Sequence, residues 1–236
     1  MPPRKLVVFD VDGTLVHSMD ADGACFVQTF ADVYGIEDID TDWARYDHAT
    51  DPGLIEQIVR ERFARAPRAD EIARFEARFV ELLDAAAERA DAYPALAGAA
   101  EVLRQLTADS QWAAALATGA WRACARLKLG RSGLDVEGLP AAYGEDGPSR
   151  DGIVSAAIER ARERHGAEGF ARIVSVGDGV WDARTAARLG LAFVGIGEGE
   201  RATRLRAEGA SHVIDDFADA GRFLAALEVA TVPVPR

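Results

Sequence analysis

Residues Leu6 to Val16 read LVVFDVDGTLV. Four apolar residues run directly into two aspartates, a glycine and a threonine. An unbroken apolar run of this length, bounded by an Asp-Gly turn, reads as a strand buried on both faces. Asp10 and Asp12 stand two residues apart, so strand geometry would put both carboxylates on one side. Two such charges repel each other, and burial makes the repulsion worse. The rest of the chain has to bring something positive to them.

Strand-length apolar runs recur at Trp112–Ala117, Ile173–Val176 and Ala192–Ile196, with weaker ones at Ala141–Tyr143 and His212–Ile214. Helical periodicity fills the gaps, over Leu96–Leu106, Ile153–Arg164, Ala183–Leu189 and Phe217–Leu227. Apolar strands alternating with helices predict an α/β fold with a parallel sheet covered on both faces. One region interrupts the alternation. Between Ser18 and Tyr93 there are helical patterns at Ala24–Tyr34, Leu54–Phe63 and Ile72–Ala87, and no strand pattern. This predicts a helical insertion after the first strand, with residues 1–17 and 94–236 forming the sheet domain and 18–93 the insertion. The closing TVPVPR reads as a frayed extension.

The 236 residues carry 27 Lys+Arg against 39 Asp+Glu, a net charge of −12. That disfavours nucleic acid or an anionic membrane as a partner and leaves a small molecule as the expected one. No apolar run approaches the roughly 20 residues of a membrane span. The first residues hold no signal-peptide core, and Cys25 and Cys124 form no CxxC pair, so a reducing cytoplasm is expected. The oligomeric state is not legible. Only Lys5 and Lys128 are lysines; every other basic residue is Arg.

Ligands of parallel α/β sheets sit beyond the carboxyl ends of the strands. The residues just past each strand therefore carry the functional reading. After the first strand come Asp10 and Asp12; after Trp112–Ala117, Thr118 and Gly119; after Ile173–Val176, Asp178 and Asp182; past the weak Ala141–Tyr143 strand, Arg150. Asp10, Asp12 and Asp178 make an oxygen-rich anionic pocket that a hard cation such as Mg²⁺ would neutralise. Thr118 and the amides around Gly119, opening a helix, suit phosphate oxygens. Arg150 suits the charge of a transferring phosphoryl group. Each feature also has a plainer reading: Asp12-Gly13 as a turn, Thr118 as a helix cap, Asp182 as an acid in the first turn of a helix, Arg150 as a solvated helix residue.

Taken together, DVDGT, LATG and GDGVWD, in this order, resemble the haloacid dehalogenase superfamily, and in particular its Mg²⁺-dependent phosphatases with a helical cap, the phosphoglycolate-phosphatase-like branch. The resemblance implies a Rossmann-like core with an inserted cap. It implies that Asp10 attacks phosphorus to form an aspartyl-phosphate and that Asp12 serves as acid and base. Asp178 would bind Mg²⁺ with Asp10 and the main-chain carbonyl of Asp12, supported by Asp182. The substrate would be a small phosphomonoester. A phosphosugar mutase of the same superfamily is the alternative, and a non-catalytic binding scaffold a more distant one. One departure stands out. The family's third motif carries Lys, and Arg150 occupies that place here. Lys128 lies late in the helix after Thr118, which is expected to keep it out of the site. Specificity is expected in the insertion, in YDHATDPG, from His48, Thr50 and Asp51; the plainer reading is that Thr50-Asp51-Pro52 simply opens a helix. Trp181 is expected to pack.

Overall fold

The computed structural model describes residues 4–88, 92–166 and 168–234. Among them, six strands form one sheet: β1 (Lys5–Phe9), β2 (Trp112–Ala117), β3 (Ala141–Ala142), β4 (Arg172–Gly177), β5 (Ala192–Ile196) and β6 (His212–Ile214). The order is β3-β2-β1-β4-β5-β6 and every pairing is parallel. Strand order reverses beside β1, which creates the crevice where ligands of such sheets bind. Register decides what reaches that crevice. Phe9 lies opposite Leu116 on one side and Val176 on the other. The residues that follow, Asp10, Thr118 and Asp178, therefore emerge at one edge.

Both sheet faces are covered, as the apolar runs require. Val7 and Phe9 of β1 join one buried cluster, and Leu6 and Val8 join another on the opposite face. The first face carries α4 (Ala99–Ala108), α5 (Arg122–Ser132) and α9 (Ala220–Val229). The second carries α6 (Arg150–His165), α7 (Val180–Leu189) and α8 (Gly199–Ala207). The helix α8 has no clear sequence signature, because Ala202 and Leu205 are its only buried residues. The tail is less frayed than its composition suggests: the Thr231 carbonyl accepts from the Phe193 amide at 3.1 Å, although Val234 is exposed.

The insertion consists of α1 (Met19–Tyr34), α2 (Asp51–Phe63) and α3 (Ala69–Ala87). The chain leaves the sheet and returns through two adjacent segments. Val16 bridges Ala95, the His17 amide donates to the Pro94 carbonyl at 2.9 Å, and the Leu96 amide to that of Leu15 at 2.9 Å. The helix α1 starts five residues before its apolar pattern does, because its first residues, Met19 to Gly23, include two aspartates and a glycine. Inside the insertion Phe26, Phe30, Phe75 and Phe79 meet largely edge-on, with the Phe30 and Phe75 centroids 4.7 Å apart. These rings are not a separate core. They belong to the same buried cluster as the first sheet face, α3 packs against α5, and Phe75 reaches Trp121.

Candidate active site

The chain turns sharply after β1. The amides of Leu15 and Val16 donate to the Val11 carbonyl, and that of Gly13 to Val16. Gly13 has φ +76°, and a Cβ there would stand 2.2 Å from Asp178 Oδ2. Only glycine lets this turn lie against that carboxylate. The turn is what carries Asp10 and Asp12 out of the strand. The Asp10 amide donates to the Val176 carbonyl at 2.9 Å, which fixes its backbone against β4.

Asp10, Asp178 and Asp182 converge, with carboxylate oxygens all within 4.8 Å of one another and all three residues buried. Two arginines partly answer the charge. Arg150 Nη2 donates to Asp10 Oδ1 at 2.9 Å and closely to Asp182 Oδ1. Arg201 Nη1, reaching over from α8, lies 3.1 Å from Asp178 Oδ2. Asp182 Oδ2 accepts from the Gly179 amide at 3.0 Å, while Asp178 Oδ1 is buried with no hydrogen-bond partner. The imbalance shows in proton affinity. Burial first, then Asp182, Asp178 and Asp12, push the Asp10 carboxyl well above the usual carboxylate range against the pull of Arg150. Burial and Asp182 push Asp178 up to about 7 against Arg201 and Arg150. An all-oxygen donor set, an orphaned carboxylate oxygen and uncompensated charge fit a hard divalent cation. The Asp12 carboxylate is not part of this cluster.

Asp12 instead faces a partner that the sequence reading leaves out. Its Oδ1 accepts from Ser18 Oγ at 2.6 Å and lies 2.6 Å from Lys128 Nζ. Lys128 is completely buried, and its Nζ also donates to Asp22 Oδ1 of α1 at 2.6 Å. Position along α5 misleads here. Helical side chains lean toward the helix N-terminus, and a lysine stem is long enough to carry its ammonium back beside Asp12. Burial opposes the charge, but Asp12, Asp22 and Asp51 outweigh it and hold Lys128 protonated well above its ordinary range. The signal that would have found it is composition: one of just two lysines in an arginine-rich chain. Asp22 has no comparable signal, since an acid in the first turn of a helix is commonplace.

Thr118 is buried, and its Oγ1 accepts from the Ala120 amide at 3.1 Å. A Cβ on Gly119 would stand 2.8 Å from Arg150 Nη1 and 2.7 Å from the Ala49 carbonyl, so the turn tolerates nothing larger. The helix start beyond it is not the open set of donors expected. The Trp121 amide donates to Asp51 Oδ2 at 2.9 Å, and that of Arg122 to the Glu145 carboxylate. Within this turn, Gly119 carries the amide with no acceptor among the described residues.

Part of this set lines one cavity of about 60 Å³, while Asp178, Asp182 and Lys128 lie behind its wall. Asp10, Asp12, Thr118, Gly119 and Arg150 form the sheet side; Asp22, Thr50 and Asp51 come from the insertion, with Trp43 and Trp181 beside them. The YDHATDPG stretch divides. Thr50 and Asp51 are buried in the wall, and Thr50 Oγ1 also caps α2 by accepting from the Gly53 amide at 3.1 Å. His48 is exposed and does not line the cavity. Trp181, expected to pack, is part of the wall.

Residues 4–190 match the family model of the haloacid dehalogenase-like hydrolases. No curated protein matches the chain. Among solved structures, a hydrolase from Pseudomonas syringae is similar with a TM-score of 0.71 at 21% identity, over 95% of this chain and 99% of that one. CbbY from Rhodobacter sphaeroides, solved in complex with phosphate, gives 0.67 at 20% identity over 95% and 99%. A predicted phosphoglycolate phosphatase from Haemophilus somnus 129PT gives 0.64 at 21% identity over 95% and 99%. At these identities the likeness is one of fold.

Proposed function

The chain belongs to the haloacid dehalogenase-like hydrolase family, and on that premise we propose that it is a Mg²⁺-dependent phosphatase of a small phosphomonoester, working through an aspartyl-phosphate on Asp10. One observation carries this reading: two carboxylates from a single turn are held against different partners. Asp10 sits in the anionic cluster with Asp178 and Asp182, and Asp12 sits against Lys128 and Ser18. Environments that separate two neighbouring carboxyls are how one site obtains a nucleophile and a proton carrier.

Asp10, Asp178 and Asp182, with the main chain of Asp12, would hold the cation, which neutralises the nucleophile and a phosphoryl oxygen when bound. Asp10 then attacks phosphorus, breaking the bond to the leaving oxygen. Asp12 gives its proton to that oxygen and takes one from the water that opens the acyl-phosphate. Arg150 reaches Asp10 and Asp182, and its remaining donors, with Thr118 and the Gly119 amide, would hold the equatorial oxygens. A net charge of −12 supports a small substrate over an anionic polymer or membrane. Cys25 and Cys124 are both buried and form no disulfide, which supports a reducing cytoplasm.

Turnover of 4-nitrophenyl phosphate with and without Mg²⁺ tests the reading. The expected result is metal-dependent hydrolysis that Asp10→Asn abolishes. Hydrolysis that survives Asp10→Asn in a preparation free of deamidation would refute it.

A further inference from the structure

The cavity has two ends of opposite character. At the sheet end Asp10 and Arg150 line it, and behind them Asp178, Asp182 and Arg201 complete a cluster of three carboxylates and two guanidiniums, in which a divalent cation would leave net positive charge for a phosphate dianion. At the insertion end, Asp12, Asp22 and Asp51 face the single charge of Lys128, a net −2. If Asp12 carries the proton it needs as the acid, −1 remains. Lys128 cannot serve a substrate anion, because it is completely buried, already holds two carboxylates and does not line the cavity.

Asp51 is the residue best placed to use this surplus. It is 7% exposed and lines the cavity. Its position is fixed from two directions: its amide donates to the Gly119 carbonyl and its Oδ2 accepts from the Trp121 amide, each at 2.9 Å. Its Oδ1 has no hydrogen-bond partner among the described residues. Burial first and Asp22 next push its carboxyl well above the usual range, which is the same charge imbalance expressed as proton affinity. The indoles of Trp43 and Trp181 line the same cavity. A fixed buried carboxylate in a cavity that two tryptophans also line is a setting that takes up a cation.

Resting on the phosphatase reading, we propose that the leaving alcohol carries an ammonium group, and that the substrate is a short amino-alcohol phosphate whose nitrogen binds Asp51 Oδ1 between the two tryptophans. A cavity of about 60 Å³ suits a spacer of only a few atoms. A carboxylate in the leaving group would meet Asp22 and Asp51, while Arg150, the one cation lining the cavity among the described residues, is held by Asp10 and Asp182, so the same charges that admit an amine reject an acid.

The test compares three near-isosteric esters on the full chain with excess Mg²⁺: 2-aminoethyl phosphate, 2-hydroxyethyl phosphate and carboxymethyl phosphate, beside 4-nitrophenyl phosphate. The kcat/KM of the amine should exceed that of the alcohol by about tenfold or more, and that of the acid by a wider margin. Asp51→Asn should bring the amine-to-alcohol ratio close to one; should that variant not fold, Asp22→Asn should lower the same ratio. Equal use of amine and alcohol esters, or preference for the acid, overturns the proposal while 4-nitrophenyl phosphate turnover leaves the phosphatase reading standing. Failure of all four esters overturns both.

Discussion

Lys128 and Arg150 are two cations that divide one task. Arg150 bonds to Asp10 and Asp182 at the phosphoryl end, and Lys128 bonds to Asp12 and Asp22 on the proton-transfer side. Arg150→Ala should lower kcat by an amount typical of a lost charge stabiliser, ~2.7–4 kcal/mol in the barrier, and Arg150→Lys should recover part of it. Lys128→Met should destabilise the fold by up to about 3–5 kcal/mol in denaturant unfolding, because it leaves two part-buried carboxylates unanswered. At the temperature where the variant stays folded, esters with poor leaving groups should lose more rate than 4-nitrophenyl phosphate, since in the proposed mechanism Asp12 is the proton donor they need. An equal loss across esters would mean that Lys128 only stabilises. The convergence of Asp10, Thr118 and Asp178 was legible because each directly follows a strand, where the topology must deliver it to one edge; Arg150 and Asp182 reach the same place from the first turns of α6 and α7. Lys128 and Asp22 were not legible, because their approach depends on how α1 and α3 settle onto α5, and no local pattern encodes a packing direction.

The elements follow the same division. Strands buried on both faces announce themselves as apolar runs, and β2, β5 and β6 span the residues their patterns mark. The ends of helices are harder. Polar first turns hide the starts of α1 and α6, and α8 buries too little to leave a pattern at all. The insertion was legible as helical but not as continuous with the sheet cluster. Phe75, fully buried at that junction, tests the continuity. Phe75→Ala should cost about 3–5 kcal/mol as a single cooperative transition rather than melt the insertion alone. Two transitions by circular dichroism would show that the insertion folds independently. The turn after β1 is testable in the same way. Gly13→Ala forces a side chain into a positive φ and against Asp178, so Mg²⁺ affinity measured calorimetrically should fall even where the variant stays folded.

At the scale of the whole molecule, the buried acids make stability depend on pH and metal together. In the metal-free fold Asp178 titrates at about 7 and Asp22 at about 6, both above the ordinary value of 3.8, for reasons that begin with burial. Protonation therefore favours the folded state. That contribution is complete below the ordinary value and is lost as pH rises through 6 and then 7. The melting temperature of the metal-free protein should fall from about pH 5 to about pH 8, and Mg²⁺ should raise it more at the upper end, where no proton has to leave. A melting temperature that climbs over this range without metal would show that the acids are not in the charge-starved setting described. No helix among the described residues is long and apolar enough to cross a membrane, which agrees with the absence of such a run in the sequence.

The covalent step proposed at Asp10 joins all three scales, because it would need the residue, the strand edge that presents it and the cluster around it that fits a cation. Rapid acid quenching of the enzyme turning over a phosphate ester with Mg²⁺, followed by borohydride reduction and peptide mass spectrometry, reads it directly. An acyl-phosphate on Asp10 is reduced to homoserine at that position, and the modification should vanish without Mg²⁺ and in Asp10→Asn. Steady hydrolysis with no reducible acyl group at Asp10, or with one on another carboxylate, would contradict the mechanism.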